Sequence, residues 1–429
     1  MKARLKVQNI GPITDVEITI NKVNIFIGPQ SIGKSTLAKI ISFCAWLEKN
    51  ILVNQGYAHI DKSFLLQHLL IYHKFASFLV ETSFIEYKSE LISFTYHSLS
   101  NFKIEVNGRL KDTDMSKITY VPAERNIINI PNISTLSLEH NYIRDFIFDW
   151  LRVRYKFNGN NRLSLLDLGC AYSFDTEKGD VITLASGKEI SLNQTSSGLQ
   201  ALVPLLVFVA YSTDWILHND PDMSFDNYSS LQKALLKHIR GGEDTTDDKN
   251  INAILEQEEI KNSLDKLLQV FLDAKGNSET VNGLKEIASL VQRISKPHSS
   301  FLIIEEPEEN LFPSTQYELI KHIVTMLDNG RDNTLVVTTH SPYIMTSINN
   351  LIQAQHVIDE DGNAKARLSE ILSTTSYMSY DDINAWAFAN GKLISIKDDE
   401  LRLISAESLD AVSDSISSDF ELLLDYEGN

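Results

Sequence analysis

Cysteine is nearly missing from this sequence: among 429 residues only Cys44 and Cys170 occur. Two thiols make neither a disulfide framework nor a four-ligand zinc site by themselves. Cys44 lies in an apolar helical run, where a buried structural thiol is expected. Long hydrophobic runs are missing too. The strongest, Ala201 to Tyr211, falls short of the about 20 apolar residues a bilayer crossing takes. Arg4, Lys6 and Gln8 interrupt any signal-peptide core, so a cytoplasmic chain without a membrane partner is expected. Positive charge is in deficit, with 39 Lys and Arg against 57 Asp and Glu and a net charge of −18. Such a surface repels polyphosphate at long range, so any DNA contact needs a local basic patch. Arg152, Arg154, Lys156 and Arg162 are the densest set, and a solvated helix face with its following loop is the expected reading. Hydrophobic residues at 43% and charged residues at 22% exclude wholesale disorder and supply the core of one large elaborated domain, or two.

The chain opens with alternation over Ala3 to Val7 and Val16 to Ile20 around Gly11-Pro12, which predicts strand, turn and strand. Val23 to Ile27 reads as a buried strand, Gly28 to Gly33 as a tight loop and Lys34 to Leu52 as a helix. Residues 53–91 are expected to be mostly helical. Ile92 to Tyr96 and Phe102 to Val106 read as strands, with Asn107-Gly108 as a hairpin turn. Ile118 to Val121 is a further strand, Ser137 to Tyr155 a helix, and Ala171 to Leu192 three strands turning near Gly179 and Gly187-Lys188. Ser197 to Ala210 reads as a helix despite Pro204, and 213–298 as a polar helical insertion. Phe301 to Ile304 and Leu335 to Thr338 are buried parallel strands, separated by a helix from Ser314 to Asp328. The fold class is α/β.

Gly28-Pro29-Gln30-Ser31-Ile32-Gly33-Lys34-Ser35 fits G-x-x-x-x-G-K-[ST], with a strand before it and a helix beginning through Thr36 after it. The glycines let successive N–H groups face a phosphate, and the helix start adds its own. Lys34 would reach the β- and γ-phosphates of ATP, and Ser35 would ligate Mg²⁺. Glu305 and Glu306 end an apolar strand, which puts them at the carboxyl edge of the sheet beside that loop. Glu305 would join the magnesium shell through water, and Glu306 would polarise the attacking water. His340 ends the Leu335 strand, where an imidazole could bond a γ-phosphate oxygen. Thr195 to Gln200 offers hydroxyls and free N–H groups at a helix start, a second anion site that a simple helix cap explains equally.

Taken in order, Gly28 to Ser35, Ser196 to Gln200, Phe301 to Glu306 and His340 resemble the Walker A, signature, Walker B and switch histidine of ABC-class ATPases. The long spacing between the first two resembles SMC, RecF and OLD-type proteins more than transporter cassettes. Glu305 to Pro313 and Thr338 to Pro342 resemble patterns of OLD-like ATPases. The resemblance implies an ABC-type head: a mixed sheet with a parallel P-loop core, antiparallel strands and helical insertions. It divides the chain into head lobes at 1–45, 117–212 and 300–355, insertions at 46–116 and 213–299, and a hairpin with helical tail at 356–429. It implies ATP and Mg²⁺ as cofactors, catalysis by Lys34, Glu306 and His340, and a homodimer or higher oligomer. In that dimer Ser196, Ser197, Gly198 and Gln200 act in trans. Likeness to the ATPase subunits of Septu- and PARIS-type systems implies a separately encoded effector, a nuclease, in bacterial anti-phage defence, with DNA contact open.

Departures from the pattern are Glu305 where most ABC proteins carry Asp, Ser197 where the signature has Gly, and no clear Q-loop glutamine, for which Glu124 and Arg125 stand as candidates. Two other readings remain. Asp359 and Asp361 would make a self-contained OLD-type nuclease if they sat on a TOPRIM strand, although a charged hairpin is the expected reading. A RecF- or SMC-like repair ATPase would need a basic face. Leu409, Val412, Ile416, Phe420 and Leu424 predict an amphipathic tail helix.

Overall fold

The computed structural model describes residues 3–108, 110–131, 133, 138–219, 293, 296–405, 417–420 and 423. Most of the 213–299 insertion, and Leu409, Val412, Ile416 and Leu424 of the tail helix, lie outside the described residues; Phe420 is exposed.

Strand β1 (Ala3–Ile10) buries Ala3, Leu5 and Val7 and turns Arg4 and Lys6 away from the core. It pairs antiparallel with β2 (Ile13–Ile20) across the Gly11 turn. β3 (Val23–Ile27) is buried along its whole length, as a strand covered on both faces must be. Helix α1 (Lys34–Val53) follows the phosphate loop.

Residues 53–91 are not mostly helical. Asn54 caps α1, a short helix (Lys62–Leu65) and a π-turn (Leu66–Ile71) follow, and β4 (Leu79–Lys88) then pairs with β1. Ser83, Ile85 and Tyr87 of β4 are buried; a polar Ser83 on the buried face and an apolar Phe84 on the other blur the two-residue period. The hairpin formed by β5 (Ile92–Ser98) and β6 (Asn101–Val106) turns at Leu99-Ser100. Asn107-Gly108 instead closes its open end, where both N–H groups donate to the Leu91 carbonyl. A turn signal needs an alternating run on both sides, and none follows Gly108. The 45/46 boundary dissolves as well, because α1 runs through it and β4–β6 extend the main sheet.

β7 (Ser116–Val121) precedes α2 (Tyr142–Val153). A small antiparallel sheet follows: β8 (Leu163–Ser164), β9 (Cys170–Asp175), β10 (Gly179–Leu184) and β11 (Glu189–Ser191). α3 (Ser197–Ala210) continues as a helical segment to His218, longer than the Ala201–Tyr211 run alone. By length and composition Ser197–His218 could cross a membrane, yet 83% of its apolar window is buried inside the protein, as in a core helix. Arg152 pairs with Asp149, Arg154 pairs with Asp180 over the Phe174 ring, and Lys156 lies over Trp215.

β12 (Ser299–Glu305), α4 (Pro313–Leu327), β13 (Thr334–Thr339) and α5 (Pro342–Glu360) complete the strand–helix order. Val357 to Gly362 is neither hairpin nor TOPRIM strand. Ile344, Ile348, Leu351 and Ile352 keep one face of α5 buried, and the helix runs on to Glu360. Asp359 is exposed and accepts a bond from Gln355 Nε2, while Asp361 caps Asn363 ahead of α6 (Lys365–Leu372). The hairpin lies later. β14 (Ile383–Ala389) and β15 (Lys392–Ser395) turn at Asn390-Gly391, both at positive φ.

Among the described residues the main sheet has eleven strands, in the order β6-β5-β4-β1-β2-β15-β14-β3-β13-β12-β7. The run β14-β3-β13-β12-β7 is parallel. Successive side chains point to opposite faces, so Phe26, Ile303 and Val336 pack with α1, while Ile25, Ile304 and Val337 pack with α2–α5. The mixed sheet with a parallel core expected for the fold is present.

Candidate nucleotide site

The carboxyl ends of β3, β12 and β13 lie side by side, so what leaves them converges. From β3 comes the loop Gly28 to Gly33. Gly28 has φ +146 and Gly33 φ +114, and a Cβ on Gly28 would come within 2.6 Å of Ile32 Cδ1. A side chain at either place would strain the curl that presents the backbone to a phosphate. Ser31 adopts φ 62, and Pro29, Gln30 and Ser31 are exposed at the rim; Thr36 is buried under the loop.

Lys34 closes this loop on itself. Its Nζ donates to the Gly28 carbonyl at 2.8 Å and the Pro29 carbonyl at 2.6 Å, and lies 3.4 Å from His340 Nδ1. Burial lowers its pKa to about 8, against the pull of Glu306, Glu308 and Glu305. An ammonium held against two carbonyls at the centre of a glycine cradle is a ready partner for phosphate oxygens.

From β12 come the two acids. Glu305 is buried, and burial raises its pKa; Lys39 and hydrogen bonds from Tyr120 and Ser35 pull it back. The hydroxyl of Tyr120, on β7, donates to Glu305 Oε1. Ser35 and Glu305 are hydrogen-bonded to each other, an acceptor carboxylate and a hydroxyl beside the phosphate loop, a set of oxygens that fits Mg²⁺.

Glu306 turns out of the strand at φ 44, an uncommon conformation for a residue with a side chain. Its N–H donates to the Thr338 carbonyl, and its Oε1 sits 3.1 Å from His340 Nε2. His340 leaves β13 with its own N–H on Glu308 Oε1 at 2.6 Å, while Glu308 Oε2 is buried without a hydrogen-bond partner among the described residues. Lys34, His340 and Glu306 therefore form one line across three loops.

The start of α3 packs against Asn310 in the loop that follows the acid pair. Ser196 caps the helix on Leu199 N, and Gln200 Nε2 bonds Asn193 and Thr195 carbonyls. Ser196 and Ser197 are exposed, and a Cβ on Gly198 would lie 2.9 Å from the Asn310 carbonyl. Of the two Q-loop candidates, Glu124 accepts a bond from Tyr142, while the Arg125 guanidinium is fully buried beneath the acid loop. Sequence reasoning passed over Tyr120, Glu308 and Lys39. Tyr120 sits in a strand of ordinary alternation, and only the parallel pairing of β7 with β12 brings it to Glu305.

A family model described as AAA ATPase domain matches residues 284–345, the stretch that carries the acid pair and His340. Among solved structures, the SMC head domain from Thermotoga maritima matches at 11% identity over 92% of this chain and 98% of that one, with a TM-score of 0.37. The recombination mediator RecF matches at 14%, over 92% and 98%, at 0.31. An ATP-binding cassette of an ABC transporter matches at 11%, over 94% and 93%, at 0.26. Overlaps this loose add no weight to the site. A search of curated proteins found no match. The acid pair and His340 thus fall inside a stretch similar to an AAA ATPase domain, and the phosphate loop that meets them in space lies outside that stretch.

Proposed function

We propose that the chain hydrolyses ATP, with Glu306 as general base. The supporting observation is the line from Lys34 through His340 to Glu306, at 3.4 and 3.1 Å. Lys34 would exchange the Gly28 and Pro29 carbonyls for β- and γ-phosphate oxygens. Glu306 would take a proton from water as its oxygen bonds to the γ-phosphorus, with ADP leaving on the bridging oxygen. His340 would orient Glu306 and bond a γ-oxygen. When bound, Mg²⁺ supplies charge neutralisation on the β- and γ-oxygens, and Ser35 and Glu305 are the residues that would hold it. Lys34→Ala should lose ATP binding. Glu306→Gln should keep binding while turnover falls about 10²–10⁴-fold. Wild-type turnover in Glu306→Gln sinks the assignment.

The reading extends to a homodimer closing on ATP, with Ser196, Ser197 and Gly198 of one copy facing the loop of the other. The exposed Ser196 and Ser197 and the positive N-terminal end of α3 support it, because both favour an extra phosphate. The resemblance to ATPase subunits of Septu- and PARIS-type systems supports control of a separately encoded nuclease in anti-phage defence. A protein that co-elutes with the chain from its native operon, and whose DNA cleavage changes with Glu306→Gln, tests this. The reading falls if cleavage by that partner is indifferent to ATP and to Glu306.

A further inference from the structure

Among the described residues Arg125 is the largest fully buried charged side chain, held where an apolar side chain would pack without a desolvation cost. Its hydrogen bonds run to three separate elements. Nε donates to the Ala201 carbonyl of α3 at 3.1 Å. Nη1 donates to Pro122 at 3.3 Å and to the Glu305 carbonyl at 2.9 Å, and Nη2 to the Glu306 carbonyl at 2.8 Å. Glu309 Oε2 lies 3.5 Å away and supplies the opposite charge. Arg125 belongs to the 3-10 segment Ala123–Asn129, and other residues of that segment make the same bridge. Asn126 Nδ2 reaches Glu309 Oε1, and Asn129 Nδ2 reaches the Gln200 carbonyl. Pro204 explains the second contact: it has no N–H for the carbonyl four residues back, Gln200, and Asn129 supplies the missing donor.

We infer that Arg125 is a positioning residue, the centre of a strap that fixes the Glu306 backbone to the first turns of α3. Glu306 sits at φ 44, a conformation that persists only where its surroundings over-determine it. Arg125 holds the carbonyl of that residue, and the Thr338 carbonyl holds its N–H. A planar guanidinium with five donors in a fixed fork reaches four carbonyls here, from Pro122, Ala201, Glu305 and Glu306; an ammonium has three donors on a single atom and cannot hold all four. The strap rests on the two-copy reading above for its purpose. If α3 meets the γ-phosphate bound by the partner copy, its movement reaches Glu306 of its own chain, and the two sites act together.

Hydrogen exchange on the full-length chain tests the strap without hydrolysis, with Mg²⁺ and a non-hydrolysable ATP analogue as probe. In the wild type the analogue should slow exchange both around Glu306 and over residues 197–203. In Arg125→Lys the response over 197–203 should be lost while analogue affinity stays within about threefold, and in steady state kcat should fall at least about tenfold with KM little changed. Asn129→Ala removes only the outer bond and should give a partial loss, and it decides the matter if Arg125→Lys does not fold. An unchanged 197–203 response in both variants overturns the inference. A wild type that binds the analogue but never turns ATP over instead overturns the hydrolysis reading and leaves the exchange result standing.

Discussion

Lys34 links ATP binding to pH. Burial holds its pKa at about 8, below the ordinary 10.5, so an arriving triphosphate raises it and takes up a proton above pH 8. ATP affinity should therefore weaken as pH rises past about 8, and calorimetry at pH 8.5 in buffers of different ionisation enthalpy should show proton uptake; equal heats would refute it. The sign for nucleotide-free stability is opposite. Between about 8 and 10.5 the unfolded chain holds the proton that the folded chain has lost, so the Lys34 contribution rises with pH there. Tyr120 is the second residue with a clear consequence. Its hydroxyl bond favours the charged form of Glu305, against burial. Tyr120→Phe should raise the Glu305 pKa further and demand more Mg²⁺ for half-maximal turnover, most visibly at low pH. An unaltered Mg²⁺ dependence would separate Tyr120 from the metal.

At the scale of the element, the start of α3 decides whether the ATP site is shared. Gly198 is a poor place to test it, because a Cβ there already meets the Asn310 carbonyl at 2.9 Å within its own chain. Ser197 is exposed, so Ser197→Arg should leave the fold and single-copy ATP binding intact while blocking closure and turnover. Mixing Ser197→Arg with Lys34→Ala should restore part of the ATPase activity neither has alone, since one site of the mixed pair carries no lesion. Wild-type turnover in Ser197→Arg would reduce the motif to a helix cap. Exposed α5-end carboxylates give a second expectation. Asp359 bonds Gln355 and Asp361 caps Asn363, so the purified chain with Mg²⁺ or Mn²⁺ should not cut DNA, and cutting lost in Asp359→Ala would restore the nuclease reading.

Across the whole molecule, the phosphate loop is braced by a strand more than 350 residues downstream of it in the chain. β14 pairs with β3 along Ile383 to Ala387, and Trp386 stacks on Phe26 at 5.1 Å. Phe388 is buried, and its carbonyl and Cβ lie against the Gly28 position. Gly391 has φ +74 and packs under the Pro12 carbonyl, where a Cβ would stand at 2.6 Å. Phe388→Ala should cost about 3–5 kcal/mol of stability by leaving a cavity, read by denaturant unfolding, and should weaken ATP binding beyond that loss. Unfolding unchanged from the wild type would show that β14 does not support the loop.

The sequence by itself determined the parts whose signals are local. A glycine-bracketed loop between an apolar strand and a helix, an apolar run ending in Glu305-Glu306, and a second run ending in His340 each need only a few neighbouring residues to be read. Turn chemistry was less secure. Asn107-Gly108 and Asn390-Gly391 carry the same dipeptide, and only the second joins two strands, because only there does a strand follow. What tertiary structure alone decided is who stands beside whom. Strand order put β14 and β7 on either side of the β3-β13-β12 block, brought Tyr120 to Glu305, and buried Arg125 under two carbonyls from β12's end. Those contacts join residues 180 and more apart in the chain, a separation over which no periodicity or propensity carries information.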